Sequence, residues 1–331
     1  MRLRLMSFAL PIGLFIVLLV GGLKEPQVLT PIAKDKSFKI AVISDLNSGY
    51  GDTNYHPDVA ATLKELATIK PDLILCAGDM VAGQKSTLTE QNLAEMWQSF
   101  DANVLTPIKA MKTPFGFTVG NHDAAPSFAK DRQMAKKFWS ENQDQLGLSY
   151  IDKTNFPFYY SYLQNDVFLI SWDAAGANVQ ADVFKWMEDQ LSSETAKRAK
   201  LRIVLGHLPI YAIVASKNKP GEVLAATQQI KVFFKQHKVD LYISGHQHAY
   251  YPAQEDGLRI LNMGCIGEGA RQLLGDSTAA TRAYTLIEVP LKDYKNFKYK
   301  TFIPSKKTEI KLANLPDSIV GFNGLSRRER N

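Results

Sequence analysis

Gly245-His246-Gln247-His248 places two imidazoles in one short loop, just after the apolar run Asp240-Leu241-Tyr242-Ile243. Four further polar blocks are placed in the same way. They are Asp45-Leu46-Asn47 after Phe38 to Ser44, Gly78-Asp79-Met80 after Asp72 to Ala77, Gly120-Asn121-His122-Asp123 after Phe115 to Val119, and Gly206-His207 after Arg202 to Leu205. Each preceding run is short and rich in Val, Ile, Leu and Phe, which reads as a strand. Each polar block is therefore expected at the C-terminal edge of a sheet, where open α/β sheets hold their ligands. Carboxylates, an amide oxygen and imidazoles form a mixed O/N donor set that suits Zn, Mn, Fe or Co, and the set lacks the thiolates of structural zinc. Asp45, Asp79, Asn121, His207, His246 and His248 outnumber the ligands that one ion needs. Two ions ~3.5–4 Å apart sharing a carboxylate are the usual arrangement for hydrolysing phosphate esters, so the blocks point to a dinuclear hydrolytic centre.

In order and wording the five blocks resemble the calcineurin-like metallophosphoesterases, whose pattern runs Asp-x-His, Gly-Asp, Gly-Asn-His-Asp/Glu, His and Gly-His-x-His. The resemblance covers about Phe38 to Phe302. Its second half, Gly206-His207-Leu208-Pro209-Ile210-Tyr211, Gly245-His246-Gln247-His248 and Asn262-Met263-Gly264, is most similar to the small purple acid phosphatase type. The resemblance implies a four-layer α/β sandwich of two facing mixed sheets flanked by helices. It also implies a metal-dependent hydrolase of phosphate esters, monoesters first, with diesters of nucleotides or envelope phospho-compounds as the alternative. By position, Asp79 would bridge two ions, Asp45 and His248 would complete the first, and Asn121, His207 and His246 would hold the second. His122 would face the substrate, stabilising phosphoryl charge or protonating the leaving oxygen, and Asp123 would orient it. Two such cations neutralise phosphate oxygens, lower the pKa of a bridging water so that hydroxide exists near neutral pH, and align it with the leaving group. A module that binds metal and a phosphorylated ligand without turnover is the reading from another class. His122 separates the two, because binding alone has no use for a proton donor.

The chain departs from the pattern at Asn47, where most relatives carry the second histidine of Asp-x-His. Purple acid phosphatases also lack that histidine but supply a tyrosine three residues after the Gly-Asp aspartate, a position held here by Ala82. An amide oxygen is a harder and weaker ligand than imidazole, so the first site is expected to bind its ion less tightly or to complete its shell with water. Tyr50, Tyr55 and His56 stand nearby as replacements or as rim and structural groups. His237, near the end of a helical pattern, reads as structural. Asp173 reads either as a polar group near the cleft or as a helix cap.

Around these blocks, 331 residues with 45% hydrophobic content can bury a large core. No repeat or Gly/Ser linker divides the chain. Val59, Leu63 and Leu66, and likewise Ile230, Phe233 and Phe234, lie on single helical faces ahead of strands, and this alternation reads as α/β. Ser127 to Gly147 reads as a helical surface insertion that could wall the cleft. Tyr211, Tyr250, Tyr251 and Arg271 are candidates for its lining. Cys76 and Cys265 read as buried apolar fillers that could pair only if their geometry allowed. The net charge of +6 includes no dense basic block, so nucleic-acid binding is not indicated. Arg2 and Arg4 precede the uncharged stretch Leu5 to Leu23, nineteen residues long, enough for a helix to cross ~30 Å of hydrocarbon. With the arginines inside, this reads as an uncleaved anchor holding the catalytic domain outside the cytoplasm, with a cleaved signal peptide and secretion as the alternative. The expected organisation is an anchor or signal at 1–23, a tether at 24–36, a metallophosphoesterase domain at 37–303 and a C-terminal tail at 304–331. Expected partners are a small phosphorylated substrate and, through the N-terminal segment, a membrane.

Overall fold

Residues 36–330 are described by a computed structural model. The apolar segment Leu5 to Leu23, expected as a helix, lies outside the described residues together with most of the tether. Among the described residues no helix is long and apolar enough to cross a membrane.

The apolar runs form two mixed sheets. The first has the order Thr308–Glu309 (β13), Lys298–Ile303 (β12), Tyr284–Pro290 (β11), Ser37–Ile43 (β1), Leu73–Cys76 (β2), Phe115–Phe117 (β3). The second has the order Tyr150–Asn155 (β4), Tyr159–Gln164 (β5), Val167–Ser171 (β6), Leu201–Leu205 (β7), Leu241–Ser244 (β8), Leu258–Asn262 (β10), Tyr251–Glu255 (β9). Strands β1, β2 and β3 are parallel neighbours, as are β6, β7, β8 and β10, and antiparallel strands close the edges. The five strands that precede the polar blocks thus lie in these parallel centres, and their C-terminal ends open on one side of each sheet.

The central strands β6, β7 and β8 of the second sheet are almost continuously apolar because both of their faces are buried. Leu169, Ile203, Leu205 and Ile243 share one core with β1, β2 and β3, whereas Phe168, Ile170, Val204 and Tyr242 join another with helices Ala181–Ser192 and Thr227–Gln236. The first core also takes in Val59, Leu63 and Leu66 of helix Pro57–Ile69, the face read from their spacing. His56 caps that helix, its Nδ1 accepting from Asp58 N–H at 3.1 Å. His237 ends helix Thr227–Gln236 with its ring against Phe233, which is a structural role.

Two expectations need correction. Segment 127–147 is helical over Ala129–Asn142 and lies largely at the surface, with Ser127 on the cleft, but one face of the helix is built into the core. Its Trp139 is fully buried and stacks on Phe117 with ring centroids 3.8 Å apart. The tyrosines expected in the cleft, Tyr211, Tyr250 and Tyr251, are all buried packing groups. Segment 304–330 carries β13 and a hairpin, Ser318–Gly321 (β14) with Gly324–Arg327 (β15). Beyond the hairpin, Glu329 is buried and paired with Arg259 of β10.

Candidate metal centre

Asp45, Asp79, Asn121, His207, His246 and His248, drawn from both sheets, converge as buried side chains. Their ligand atoms form two groups that share one residue, Asp79 with His207 and His246, and Asp79 with Asp45 and His248. Within each group the atoms lie within 4.8 Å of one another. Convergence this tight needs bare backbone: a Cβ at Gly120 would stand 2.2 Å from Asp79 Oδ1. It also strains the ligands themselves, for Asp45, Asp79, His246 and His248 all have left-handed φ between 51° and 68°, a conformation that non-glycine residues keep only where the surroundings enforce it.

The hydrogen bonds fix which ring nitrogens face inward. His207 Nδ1 lies 2.8 Å from Ala77 O and His248 Nδ1 lies 3.1 Å from Gly269 O, so each donates outward and turns the lone pair of Nε2 to the centre. His246 is reversed. Its Nε2 lies 2.7 Å from Glu222 Oε2, and its Nδ1 faces inward. Asn121 gives its amide hydrogens to Gln84 Oε1 at 2.6 Å, leaving Oδ1 at 2.9 Å from His207 Nε2 and 2.8 Å from His246 Nδ1. Those two nitrogens are 3.3 Å apart. Three lone pairs therefore meet with no proton among them in the neutral tautomers, an arrangement that a cation satisfies. On the other side of Asp79, His248 Nε2 lies 3.1 Å from Asp45 Oδ1, and Asp45 also accepts from Ser44 Oγ at 2.7 Å and from the His246 backbone at 3.0 Å. The donor set and its outer partners fit divalent or trivalent transition metals.

Electrostatics agree with that fit. Burial pushes both aspartates up, but the imidazoles outweigh it. His248 and His207 hold Asp45 at about 2, while His207 and His122 hold Asp79 far below the usual carboxylate range. Burial lowers His207, and the Asp79 and Asp45 charges more than reverse this, to about 9. In the metal-free protein a proton on His207 thus stands where a cation would. Burial dominates His246 and takes it down to about 3. Its partner Glu222, bonded to His246 and Lys217, is lowered to about 2.

His122 is not in either ligand group. Its Nδ1 lies 3.2 Å from Gly83 O, and its Nε2 stops 4.0 Å from Asp79 Oδ2. It lines an open cleft of about 410 Å³ beside Tyr50, Asn121, Ser127, Lys217 and Glu222. Asp123 does not orient the His122 ring as expected. Its buried carboxylate accepts from the backbone N–H groups of Met80, Val81 and Gly120 at 2.7–2.9 Å, holding the Asp79 loop against the Asn121 turn. Gly83 O orients the imidazole instead.

The remaining candidates add no histidine, cysteine or carboxylate to the two groups. Asn47 is buried with its N–H on Asp79 O at 3.3 Å, and among the described residues its side chain has no hydrogen-bond partner. Tyr55 Oη donates to Met80 O at 2.8 Å, and Tyr50 is a rim group with its ring 4.9 Å from that of His122. Asp173 neither caps a helix nor joins the ligands; it pairs with Arg132 at 2.7 Å. Arg271 bonds the His246 carbonyl at 3.3 Å. Cys76 and Cys265 are both free and buried. Glu222, Gln84 and Lys217 had not been singled out in the sequence. The one trace of Glu222 there is an acidic residue after a Pro-Gly pair in the loop that follows His207.

The chain that builds these two mixed sheets and gathers carboxylate, amide and imidazole ligands at their strand ends matches the family model for calcineurin-like phosphoesterases over residues 38–250, and it belongs to that family. Among curated proteins it is similar to a phosphoenolpyruvate phosphatase of Allium cepa, 24% identical over 75% of this chain and 48% of the relative. It is also similar to an Fe(3+)-Zn(2+) purple acid phosphatase of Arabidopsis thaliana, 23% identical over 65% of this chain and 43% of the relative. The chain therefore spans about half the length of the curated relatives it matches. A purple acid phosphatase from seeds of yellow lupin (Lupinus luteus) shares the fold, with a TM-score of 0.63 and 14% identity over 84% of this chain and 53% of the other.

Proposed function

We propose that the chain is a phosphoesterase that hydrolyses small phosphate monoesters at two metal ions bridged by Asp79. The observation that carries this reading is the pair of ligand groups sharing Asp79, with the outer nitrogen of every histidine already engaged. Asp45 and His248 would hold one ion, and Asn121, His207 and His246 the other. Iron, zinc, manganese and cobalt all suit the donors, and similarity to a phosphoenolpyruvate phosphatase and an Fe(3+)-Zn(2+) purple acid phosphatase supports the monoester class and, among the metals, iron and zinc. When bound, the ions would neutralise phosphate oxygens and acidify a water held between them.

The residues of the chain do the rest. Asp79 supplies the charge common to both groups. Gly83 O holds Nδ1–H of His122 and leaves Nε2 facing the cleft. From there a protonated His122 can donate to a departing ester oxygen, and in either form it can bond a phosphoryl oxygen. The four-layer form proposed with this reading is supported by the core shared between the two sheets and by helices packed on the second.

The test is metal analysis of the purified protein beside hydrolysis of mono- and diesters. Chelation should abolish turnover and Mn, Co, Zn or Fe should restore it; undiminished hydrolysis by a rigorously stripped sample would overturn the reading. Tethering to a membrane, with the catalytic domain outside the cytoplasm, is proposed from the uncharged run Leu5 to Leu23. Intact protein should stay with membranes through a carbonate wash, and a mature chain beginning near residue 23 would favour secretion.

A further inference from the structure

Of the three ligand histidines, His207 and His248 are backed by main-chain carbonyls, Ala77 O just after β2 and Gly269 O in the loop after β10. His246 alone is backed by a side chain, Glu222, on the loop between β7 and helix Thr227–Gln236. Positions 215, 216 and 218–221 of that loop are exposed and Lys217 and Glu222 half-buried, so the buried Val223 and Leu224 anchor the end of the loop but leave the orientation of the Glu222 carboxylate to polar ties. Within the loop Lys217 Nζ donates to Glu222 Oε2 at 2.9 Å and lies 3.1 Å from His246 Nε2, and two further ties come from outside it. One is Gln247, whose Oε1 accepts from Ile213 and Val214 N–H and whose Nε2 donates to Glu222 O at 3.2 Å.

The other comes from the far end of the chain. At the turn of the β14–β15 hairpin, the Asn323 amide reaches Ile210 O at 3.2 Å, Leu224 O at 2.8 Å and Thr227 Oγ1 at 2.6 Å, which joins the two stems of the loop. Phe322 N–H donates to Asn218 Oδ1 at 2.6 Å, and Phe322 O accepts from Ala212 N–H at 3.1 Å. The hairpin is itself fixed. Ile319 is buried in the outer core of the second sheet, and Glu329 N–H bonds Pro252 O at 3.0 Å.

We infer that Asn323 is a positioning residue for the metal centre: the C-terminal hairpin clamps loop 210–224 so that Glu222 holds His246 with Nδ1 turned inward. The inference rests on the proposed metal binding. It separates the two ligand groups, because only the group containing His246 depends on this clamp. Outer partners of metal-bound histidines are typically worth about 10–100-fold in affinity, and an indirect clamp belongs at the lower end.

The experiment titrates the stripped full-length chain with zinc against a chromophoric chelator, beside its thermal midpoint. Asn323 has a left-handed φ of 74°, so Asn323→Gly removes the amide without straining the turn. The expected result is one zinc equivalent weakened roughly tenfold and the other unchanged. Glu222→Gln should weaken the same equivalent, and the double variant should be no worse than Glu222→Gln alone, because both act through one contact. Faster hydrogen exchange at amides 212–223 in metal-free Asn323→Gly should accompany this. Equal weakening of both equivalents in step with the thermal midpoint would reduce the hairpin to a general stabiliser and overturn the inference; so would unchanged affinities or additive losses in the double variant. Should Asn323→Gly not fold, Asn218→Ala cuts only the tie to Phe322 and must show the same one-sided weakening, or the inference fails. A wild-type chain that binds fewer than two zinc ions would instead remove the metal reading beneath it.

Discussion

His122 and Asp123 are adjacent in the chain and serve different ends. Asp123 spends its carboxylate on three backbone N–H groups, whereas His122 is held by one carbonyl and faces the cleft. His122→Ala should therefore keep near-normal metal content while kcat falls by on the order of 10²–10⁴, the range for a positioned proton donor. An ester of an acidic phenol should lose less than an alkyl ester, whose alkoxide must be protonated as it leaves. Equal losses on both would assign His122 to the phosphoryl oxygens, and loss of metal would make it a ligand. At this scale the ligands were legible because residue type and strand-end position coincide. Their outer partners were not: Ala77 O and Gly269 O are main-chain groups that no side-chain pattern marks, and Glu222 and Gln84 lie in loops that only tertiary structure brings to the centre. The role first given to Asp123 failed for a related reason, since adjacency in sequence does not make two side chains touch across a helical turn.

At the scale of elements, the parallel strands were legible as apolar runs ending in polar blocks, and the split of β6, β7 and β8 between two cores follows from their period of two. Helix Ala129–Asn142 was read as surface alone because its lysines and glutamate make it look solvated. Its buried positions Asp131, Ala135 and Trp139 recur every four residues, a narrow stripe within a polar helix. Trp139 lies fully buried against Phe117, Phe100 and Phe138, so Trp139→Ala should cost about 3–5 kcal/mol, read as a lowered urea midpoint of the metal-free protein. A loss under about 1 kcal/mol would be a surface value and would return the helix to the periphery. The C-terminal hairpin was illegible for a different reason. Ser318 to Arg327 carries Val320, Phe322 and Leu325 exposed and only Ile319 as a deeply buried apolar side chain, so its sequence gives no core-facing alternation to read.

For the whole molecule, folding, protonation and metal binding compete for one cluster, and the signs can be worked through. His207 is raised to about 9 in the metal-free fold. Its contribution is complete below its ordinary 6.5 and is lost as pH climbs through about 9, a decline of about 3 kcal/mol at 1.4 kcal/mol per pH unit. Asp123, which burial and the Asp79 charge push up to about 7, loses its contribution between about 4 and 7, in the same direction. His246, lowered to about 3, acts oppositely, because below 6.5 the unfolded chain takes a proton that the buried ring refuses. Asp45 at about 2, with Asp79 also lowered, adds loss below about 4. The Asp123 and His246 slopes cancel between about 4 and 6.5, so the metal-free protein should be most stable there and weaken on both sides. Bound metal takes the place of the His207 proton. Loading zinc at pH 7.5 should therefore release about one proton from that imidazole, seen as a buffer-dependent heat in calorimetry, and should flatten the alkaline decline in stability. Absence of the buffer dependence, or a metal-free stability as high at pH 9 as at pH 6, would mean that His207 is not the proton's seat and that its inner nitrogen is not the lone pair offered to metal.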